Sequence, residues 1–219
     1  MSAHPDEVDG DWSAPNGIRS GFVPAQPEPV VPLLNIANIL TVLRIVLVPI
    51  FVFALLAEGG HETGWRLAAT ALFGLAAITD RFDGQLARKY GLVTDFGKLA
   101  DPIADKALIG AALIGLSSLG DLAWWITLVI CGREVGITLL RLVVVRRGVI
   151  PAGRGGKLKT LVQSLAIAVL LLPLSGTAMD AGMVLMYIAL ALTVITGLDY
   201  VGQAARVWFA GGPGRTREG

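Results

Sequence analysis

Long apolar runs alternate with short polar segments from residue 33 to residue 209. Each run holds roughly 20 residues, which is the length of a helix that crosses the hydrocarbon core of a bilayer. The pattern therefore predicts an all-α integral membrane protein, a bundle of six transmembrane helices. Residues 34–41 are a candidate for an interfacial segment ahead of the first span. The predicted spans are 39–57, 65–87, 97–119, 122–145, 158–175 and 181–209.

Composition supports a membrane protein over a soluble one. Hydrophobic residues make up 54% of the 219 positions and charged residues only 16%, which is too apolar for an ordinary soluble domain of this size. The net charge of +1 indicates no particular partner, and no nucleic-acid partner is expected. Because Cys131 is the single cysteine, an internal disulfide is excluded.

The two ends of the chain differ from the apolar region. Residues 1–32 are rich in proline, glycine, serine and acidic residues, and such a segment cannot bury enough surface to fold alone. Its acidic start and missing apolar core do not fit a secretory signal. We expect a disordered cytoplasmic tail at 1–32, one membrane domain at 33–209 and a flexible tail at 210–219.

The charges between the runs predict an orientation. The segments after the first, third and fifth spans are short and mostly acidic, whereas basic residues follow the second, fourth and sixth spans. Basic residues concentrate on the cytoplasmic side of membrane proteins. The sequence thus predicts a multi-pass cell-membrane protein with both termini inside. The basic residues are Arg88, Lys89, Arg146, Arg147, Arg154, Lys157, Lys159, Arg206, Arg215 and Arg217.

Four aspartates lie between two of the apolar runs. Asp80 and Asp83 are three residues apart and Asp101 and Asp105 are four apart, so each pair shares one helix face. Like charges in a poorly hydrated place repel one another unless a cation lies among them. A hairpin through residues 89–96 would bring the pairs together, and carboxylates suit Mg²⁺, Mn²⁺ or Ca²⁺. The alternative is a structural ion-pair network with nearby lysines and arginines.

The same stretch resembles a family signature. The pattern Asp-x2-Asp-Gly-x2-Ala-Arg-x8-Gly-x3-Asp-x3-Asp, which begins at Asp80 and ends at Asp105, is similar to that of the CDP-alcohol phosphatidyltransferases. The resemblance implies transfer of a phosphatidyl group from CDP-diacylglycerol to an alcohol, with release of CMP. It also implies a homodimer and two divalent cations, Mg²⁺ or Mn²⁺. Asp80, Asp83 and Asp101 would be metal ligands, and Asp105 would bind metal and accept the alcohol's proton.

By the same resemblance, several residues would bind CDP-diacylglycerol near its CMP moiety. Small residues next to the aspartates leave room for a ligand to approach the backbone, although close packing of helices in a membrane explains glycine and alanine equally well. These candidates are Thr79, Gly84, Ala87, Arg88 and Gly97.

A second group of candidates is basic. Arg133 and Arg141 are eight residues apart and share a helix face, and guanidinium groups bind phosphate through paired hydrogen bonds. Lys157 and Lys159 follow in a segment, 156–160, that is similar to the glycerol-phosphate branch of the family. We expect these four residues to bind the phosphate of an acceptor. The preference of basic residues for the cytoplasmic side is a competing explanation for the two lysines.

Three polar residues recur at intervals of three in the first span. Asn38, Thr41 and Arg44 therefore lie along one face of the helix. They are candidates for contact with a lipid or a phosphate. Alternatively, Arg44 extends to the lipid headgroups.

These features together predict a phospholipid-biosynthesis enzyme with glycerol 3-phosphate as its acceptor and an active site on the cytoplasmic side. Inositol phosphate, or phosphatidylglycerol to give cardiolipin, remains an alternative acceptor. A small transporter and a membrane scaffold are alternatives of another class. Release of CMP that depends on a divalent cation would distinguish the enzyme from a transporter or a scaffold.

Overall fold

A computed structural model describes residues 35–90, 94–144 and 154–210 of this chain. Both predicted tails, apart from residue 210, therefore lie outside the described residues. So do the surroundings of Asp83, Gly84, Ala87, Arg88 and Arg141, although their helices are described.

The described residues form six α-helices and no strand. A short 3₁₀ turn, Ala57–Gly60, follows the first helix. Each helix coincides with one predicted span to within a few residues at either end. Their bounds are α1 Ile36–Leu56, α2 Thr63–Tyr90, α3 Asp95–Ser118, α4 Trp124–Val144, α5 Arg154–Leu171 and α6 Thr177–Ala210.

The start of α1 differs from the prediction. Asn35 has extended backbone angles, and its side chain accepts a hydrogen bond from the Asn38 amide at 3.0 Å. This is a standard N-cap, so the helix begins at Ile36 and continues unbroken. Residues 36–41 are consequently the first turns of α1 and not a separate element, and their location at the membrane interface stays a prediction.

The helices pack around an apolar core. α1 contacts both α2 and α3, α5 contacts α6, and α4 contacts α6 and α3. Phe51 of α1 and Phe73 of α2 are buried, with ring centroids 5.9 Å apart. A Cβ at Gly115 of α3 would come within 2.5 Å of the Leu55 side chain, so a larger residue there would force Leu55 of α1 to shift.

Large apolar side chains also cover the outside of the helices. Phe53, Leu128 and Leu198 each expose about two thirds of their surface, and all six helices carry further examples. Within the part of the chain that the structure describes, two helical stretches, Asn38–Gly60 and Thr177–Arg206, are long and apolar enough to cross a membrane. Extended apolar surface of this kind suits contact with lipid. These features agree with the predicted membrane protein, and crossing by all six helices stays a prediction.

Arg66, near the start of α2, connects four parts of the fold. Its guanidinium donates to Asp121 Oδ2 at 2.6 Å, to the Gly60 carbonyl at 3.3 Å and to the Leu170 carbonyl at 3.0 Å. The arginine is buried, and the Asp121 side chain is mostly buried too. We call Arg66 and these three partners the Arg66 cluster.

Candidate active site

One face of α1 is polar and buried, although most of the helix surface is apolar. Asn38, Thr41 and Arg44 are each at most 5% exposed, and Arg44 is fully buried. The predicted spacing along one face is therefore confirmed. Because its side chain is enclosed and ion-paired with Asp80, Arg44 does not extend to the lipid headgroups. We call these three residues the α1 polar face.

The α1 polar face contacts aspartates from two other helices. Arg44 pairs with Asp80 of α2, and the Thr41 hydroxyl donates to Asp101 Oδ1 of α3 at 2.5 Å. A carboxylate can accept such a bond and still offer its second oxygen to a cation. The first helix thus brings together one aspartate from each of the two predicted pairs.

A further hydrogen-bond chain fixes the start of α3. The Thr94 hydroxyl accepts from the Gly97 amide at 3.1 Å, which caps the helix, and donates to Asn38 Oδ1 at 2.8 Å. A side chain at Gly97 would lie 3.0 Å from that Asn38 oxygen. The small size of Gly97 therefore lets the first turn of α3, and Asp101 one turn later, pack against α1.

Asp105 links these aspartates to a second polar cluster. It lies within electrostatic range of Asp80 and Arg44, and also of Glu134 on α4 and Lys159 on α5. Among the side chains that the structure describes, no three His, Cys, Asp or Glu residues are close enough to hold one cation. Asp83, the fourth member of the predicted set, lies outside those described side chains.

The second cluster is organised by Glu134. Its Oε1 accepts from Arg133 Nη1 at 2.9 Å and also from Lys159. Arg133 Nη2 donates to Thr196 Oγ1 of α6 at 3.0 Å. One carboxylate thus connects α4 to α5, and through Arg133 to α6.

A cavity of about 220 Å³ lies between α3, α4 and α5. Its size is below the roughly 300–1,000 Å³ of sites for drug-sized ligands, so a small molecule suits it better. Ile109, Leu113 and Ile130 form part of its apolar wall. We call this space the polar cavity. Its polar lining residues are Asp105, Lys106, Glu134, Lys159, Thr160 and Gln163.

The structure separates the predicted acceptor residues. Lys159 is 4% exposed and lines the polar cavity, whereas Lys157 is exposed. Arg133 lies against α6, where a side chain at Gly197 would come within 3.2 Å of it, and is absent from the described cavity lining. Of the three acceptor candidates with described side chains, only Lys159 thus faces the cavity.

The nucleotide candidates are only partly described. Thr79 lies one residue before Asp80. Its hydroxyl donates to the Leu75 carbonyl of the same helix at 2.7 Å. Gly97 is buried against Asn38 and Thr94.

Sequence reasoning missed four polar residues of the cavity wall, namely Lys106, Glu134, Thr160 and Gln163. Lys106 donates to Thr138, whose hydroxyl bonds the Glu134 carbonyl at 2.7 Å. The available signal for Gln163 was its spacing, since it follows Lys159 by four residues and shares its helix face.

The sequence of this chain matches a known protein family. The family model for CDP-alcohol phosphatidyltransferase matches residues 34–195. The chain belongs to the CDP-alcohol phosphatidyltransferase family.

Several members of that family are similar to this chain over most of its length. A probable phosphatidylglycerophosphate synthase of Mycobacterium tuberculosis (strain ATCC 25618 / H37Rv) is 61% identical over 172 residues, 78% of this chain and 82% of the relative. The CDP-diacylglycerol--glycerol-3-phosphate 3-phosphatidyltransferase of Bacillus subtilis (strain 168) is 39% identical over 181 residues, covering 77% and 94%. Its namesake from Escherichia coli (strain K12) is 35% identical over 176 residues, covering 78% and 94%.

Proposed function

We propose that this chain transfers the phosphatidyl group of CDP-diacylglycerol to glycerol 3-phosphate in phospholipid biosynthesis. The products are phosphatidylglycerol phosphate and CMP. One observation carries the proposal: Asp105 and Lys159 line the same small cavity. A proton acceptor and a phosphate-binding cation are thus available to one acceptor molecule. The printed names of the relatives point to the same reaction.

The polar cavity supplies the acceptor side of the reaction. The Lys159 ammonium has three donor hydrogens, so it can bind the acceptor phosphate while it keeps its bond to Glu134. Arg133 offsets the negative charge of Glu134 beside that phosphate. Asp105 accepts the proton of the attacking hydroxyl, whose oxygen forms a bond to the phosphorus that carries diacylglycerol. The bond from that phosphorus to CMP breaks, and CMP leaves.

The aspartates supply the donor side. Asp80, Asp83, Asp101 and Asp105 offer the oxygen ligands that one or two Mg²⁺ or Mn²⁺ ions prefer. Bound there, such ions would neutralise a diphosphate and the charge that develops on the leaving group. Thr41 and Arg44 orient Asp101 and Asp80 through their side-chain contacts. Thr79, Gly84, Ala87, Arg88 and Gly97 would border the CMP moiety.

The setting of the reaction follows from the chain's apolar surface. We propose that all six helices cross the membrane and that the active site and both termini lie on the cytoplasmic side, where CMP is released. The homodimer expected from the family resemblance is part of this proposal. The transporter and scaffold alternatives lose their support, because the chain belongs to a transferase family.

The proposal is tested by CMP release from CDP-diacylglycerol by the purified protein with Mg²⁺ or Mn²⁺. Glycerol 3-phosphate, inositol phosphate, serine and phosphatidylglycerol are offered in parallel. We expect release that depends on both the cation and glycerol 3-phosphate. Release with a different acceptor would reject our acceptor and keep the family chemistry, and no release with any of the four would reject the proposed function.

Two lysines two residues apart provide a test of the acceptor site. Lys159→Met should raise KM for glycerol 3-phosphate about 10- to 100-fold, because hydrogen bonds to charged groups contribute about 1.5–3 kcal/mol. Lys157→Met is the matched control, since Lys157 is exposed and does not line the cavity. Initial rates over a range of acceptor concentrations give KM and kcat for each variant. Equal effects of the two substitutions would contradict a specific role for Lys159.

A further inference from the structure

Gln163 is the least explained side chain of the polar cavity. It lies on α5 and is 2% exposed, yet its Oε1 has no hydrogen-bond partner among the described residues. Leaving a buried amide oxygen without a partner is costly, and such groups in proteins usually meet another polar group. The position of Gln163 in a cavity wall means that the missing partner can be a bound molecule.

The neighbours of Gln163 restrict what that molecule is. Lys159 lies one helical turn earlier on the same face, and Asp105 lines the same cavity from α3. Under the proposed function, Lys159 binds the acceptor phosphate and Asp105 takes the proton of the attacking hydroxyl. The carboxamide oxygen has no hydrogen to donate to a phosphate and is too weak a base to take the proton, so its partner is a third group of the acceptor.

A hydroxyl fits the carboxamide. It both donates and accepts hydrogen bonds, so it can pair with the oxygen or, after rotation of the amide, with the nitrogen. A phosphate at neutral pH offers acceptor oxygens almost alone and leaves Oε1 unpaired. Glycerol 3-phosphate carries one hydroxyl that does not react, on its middle carbon.

We infer that Gln163 binds this non-reacting hydroxyl and makes the enzyme select an acceptor with a hydroxyl on the carbon next to the reacting one. The inference rests on the proposed function and adds a specificity-determining residue to it. A site that pairs a buried polar group with a substrate hydroxyl discriminates against the analogue without that hydroxyl, because the protein group is then left unpaired.

The experiment compares two acceptors that differ by one hydroxyl. Glycerol 3-phosphate and 3-hydroxypropyl phosphate, which lacks the middle hydroxyl, are offered to wild-type protein and to Gln163→Met. Wild type should prefer glycerol 3-phosphate at least tenfold in kcat/KM. Gln163→Met should reduce that preference to within about threefold of unity, mainly by lowering kcat/KM for glycerol 3-phosphate. Because the ratio is measured within one preparation, it is insensitive to the fraction of protein that folds.

Two further variants separate recognition from structure. Gln163→Asn keeps the carboxamide but shortens it, so we expect an intermediate preference. Gln203→Met removes a glutamine on α6 that bonds to Asp199 outside the cavity, and it should leave the preference unchanged. A merely structural role for Gln163 would lower the activity with both acceptors equally.

The outcomes distinguish the inference from the function on which it rests. An unchanged preference in Gln163→Met, or no preference in wild type, overturns the inference while CMP release upholds the function. That result would be expected if only water meets the Gln163 oxygen. No CMP release by wild type with either acceptor rejects the proposed function and the inference together.

Discussion

Replacing Asp105 by asparagine should lower kcat for CMP release by about 10²- to 10⁴-fold while the protein still binds CDP-diacylglycerol. Asparagine has nearly the same shape, so the packing of α3 is retained, but its amide cannot accept the proton of the attacking hydroxyl. Single-turnover CMP release measures the chemical step, and equilibrium binding of the lipid donor measures the other property. We expect the rate of CMP release to fall while the affinity for CDP-diacylglycerol stays unchanged.

The matched control for this prediction is Asp199→Asn. Asp199 is an exposed carboxylate on α6 that accepts a hydrogen bond from Gln203 and does not line the polar cavity. Its replacement should leave both measurements unchanged. If Asp105→Asn abolishes donor binding as well, the main task of Asp105 is to hold metal, and another group must accept the proton.

The helices could be predicted because their signal is local. A run of apolar residues sets the length of each helix, and polar segments set its ends, so the predicted span at 97–119 corresponds to α3 at Asp95–Ser118. The cap itself was missed. Thr94 is one hydroxyl in a short connecting segment, and its second bond to Asn38 depends on how α1 and α3 pack. Packing between helices leaves no comparable trace in a single sequence.

The site was predicted unevenly for a related reason. Spacing correctly put Asn38, Thr41 and Arg44 on one face, because three-residue steps fix their relative directions. Spacing does not fix how a helix is rotated within the bundle. Successive residues of a helix point about 100° apart. Accordingly Arg133 faces α6 whereas its neighbour Glu134 lines the polar cavity. The sequence alone had favoured Arg133 as a residue of the acceptor site.

Charge was also an incomplete guide to function. Lys157 and Lys159 carry the same charge two residues apart, so the sequence assigned them the same task. The structure exposes one and buries the other against Glu134. Gln163 carries no charge and lies in an apolar run, so charge patterning could not reveal it. Burial without a partner is a property of the folded chain, and it becomes visible only once α3, α4 and α5 are assembled.

The second large effect is expected at Arg66, near the start of α2 and 14 residues before Asp80. Arg66→Ala should lower the free energy of unfolding by about 3–5 kcal/mol, since removal of one partner leaves Asp121 as a buried charge without its counter-ion. The carbonyls of Gly60 and Leu170 lose a donor at the same time. Thermal unfolding of the detergent-purified protein checks this through a large fall in Tm.

Two further variants show which contact of Arg66 accounts for the lost stability. Arg206→Ala removes an exposed arginine near the end of α6 and should change Tm little. In Arg66→Met combined with Asp121→Leu, no buried charge is left unpaired, so much of the lost stability should return, because apolar pairs often replace buried ion pairs without penalty. If the double variant is as unstable as Arg66→Ala, the carbonyl bonds rather than the ion pair hold the Arg66 cluster together. In that case the bond to the Leu170 carbonyl, which ties α2 to α5, contributes more to stability than the pairing with Asp121.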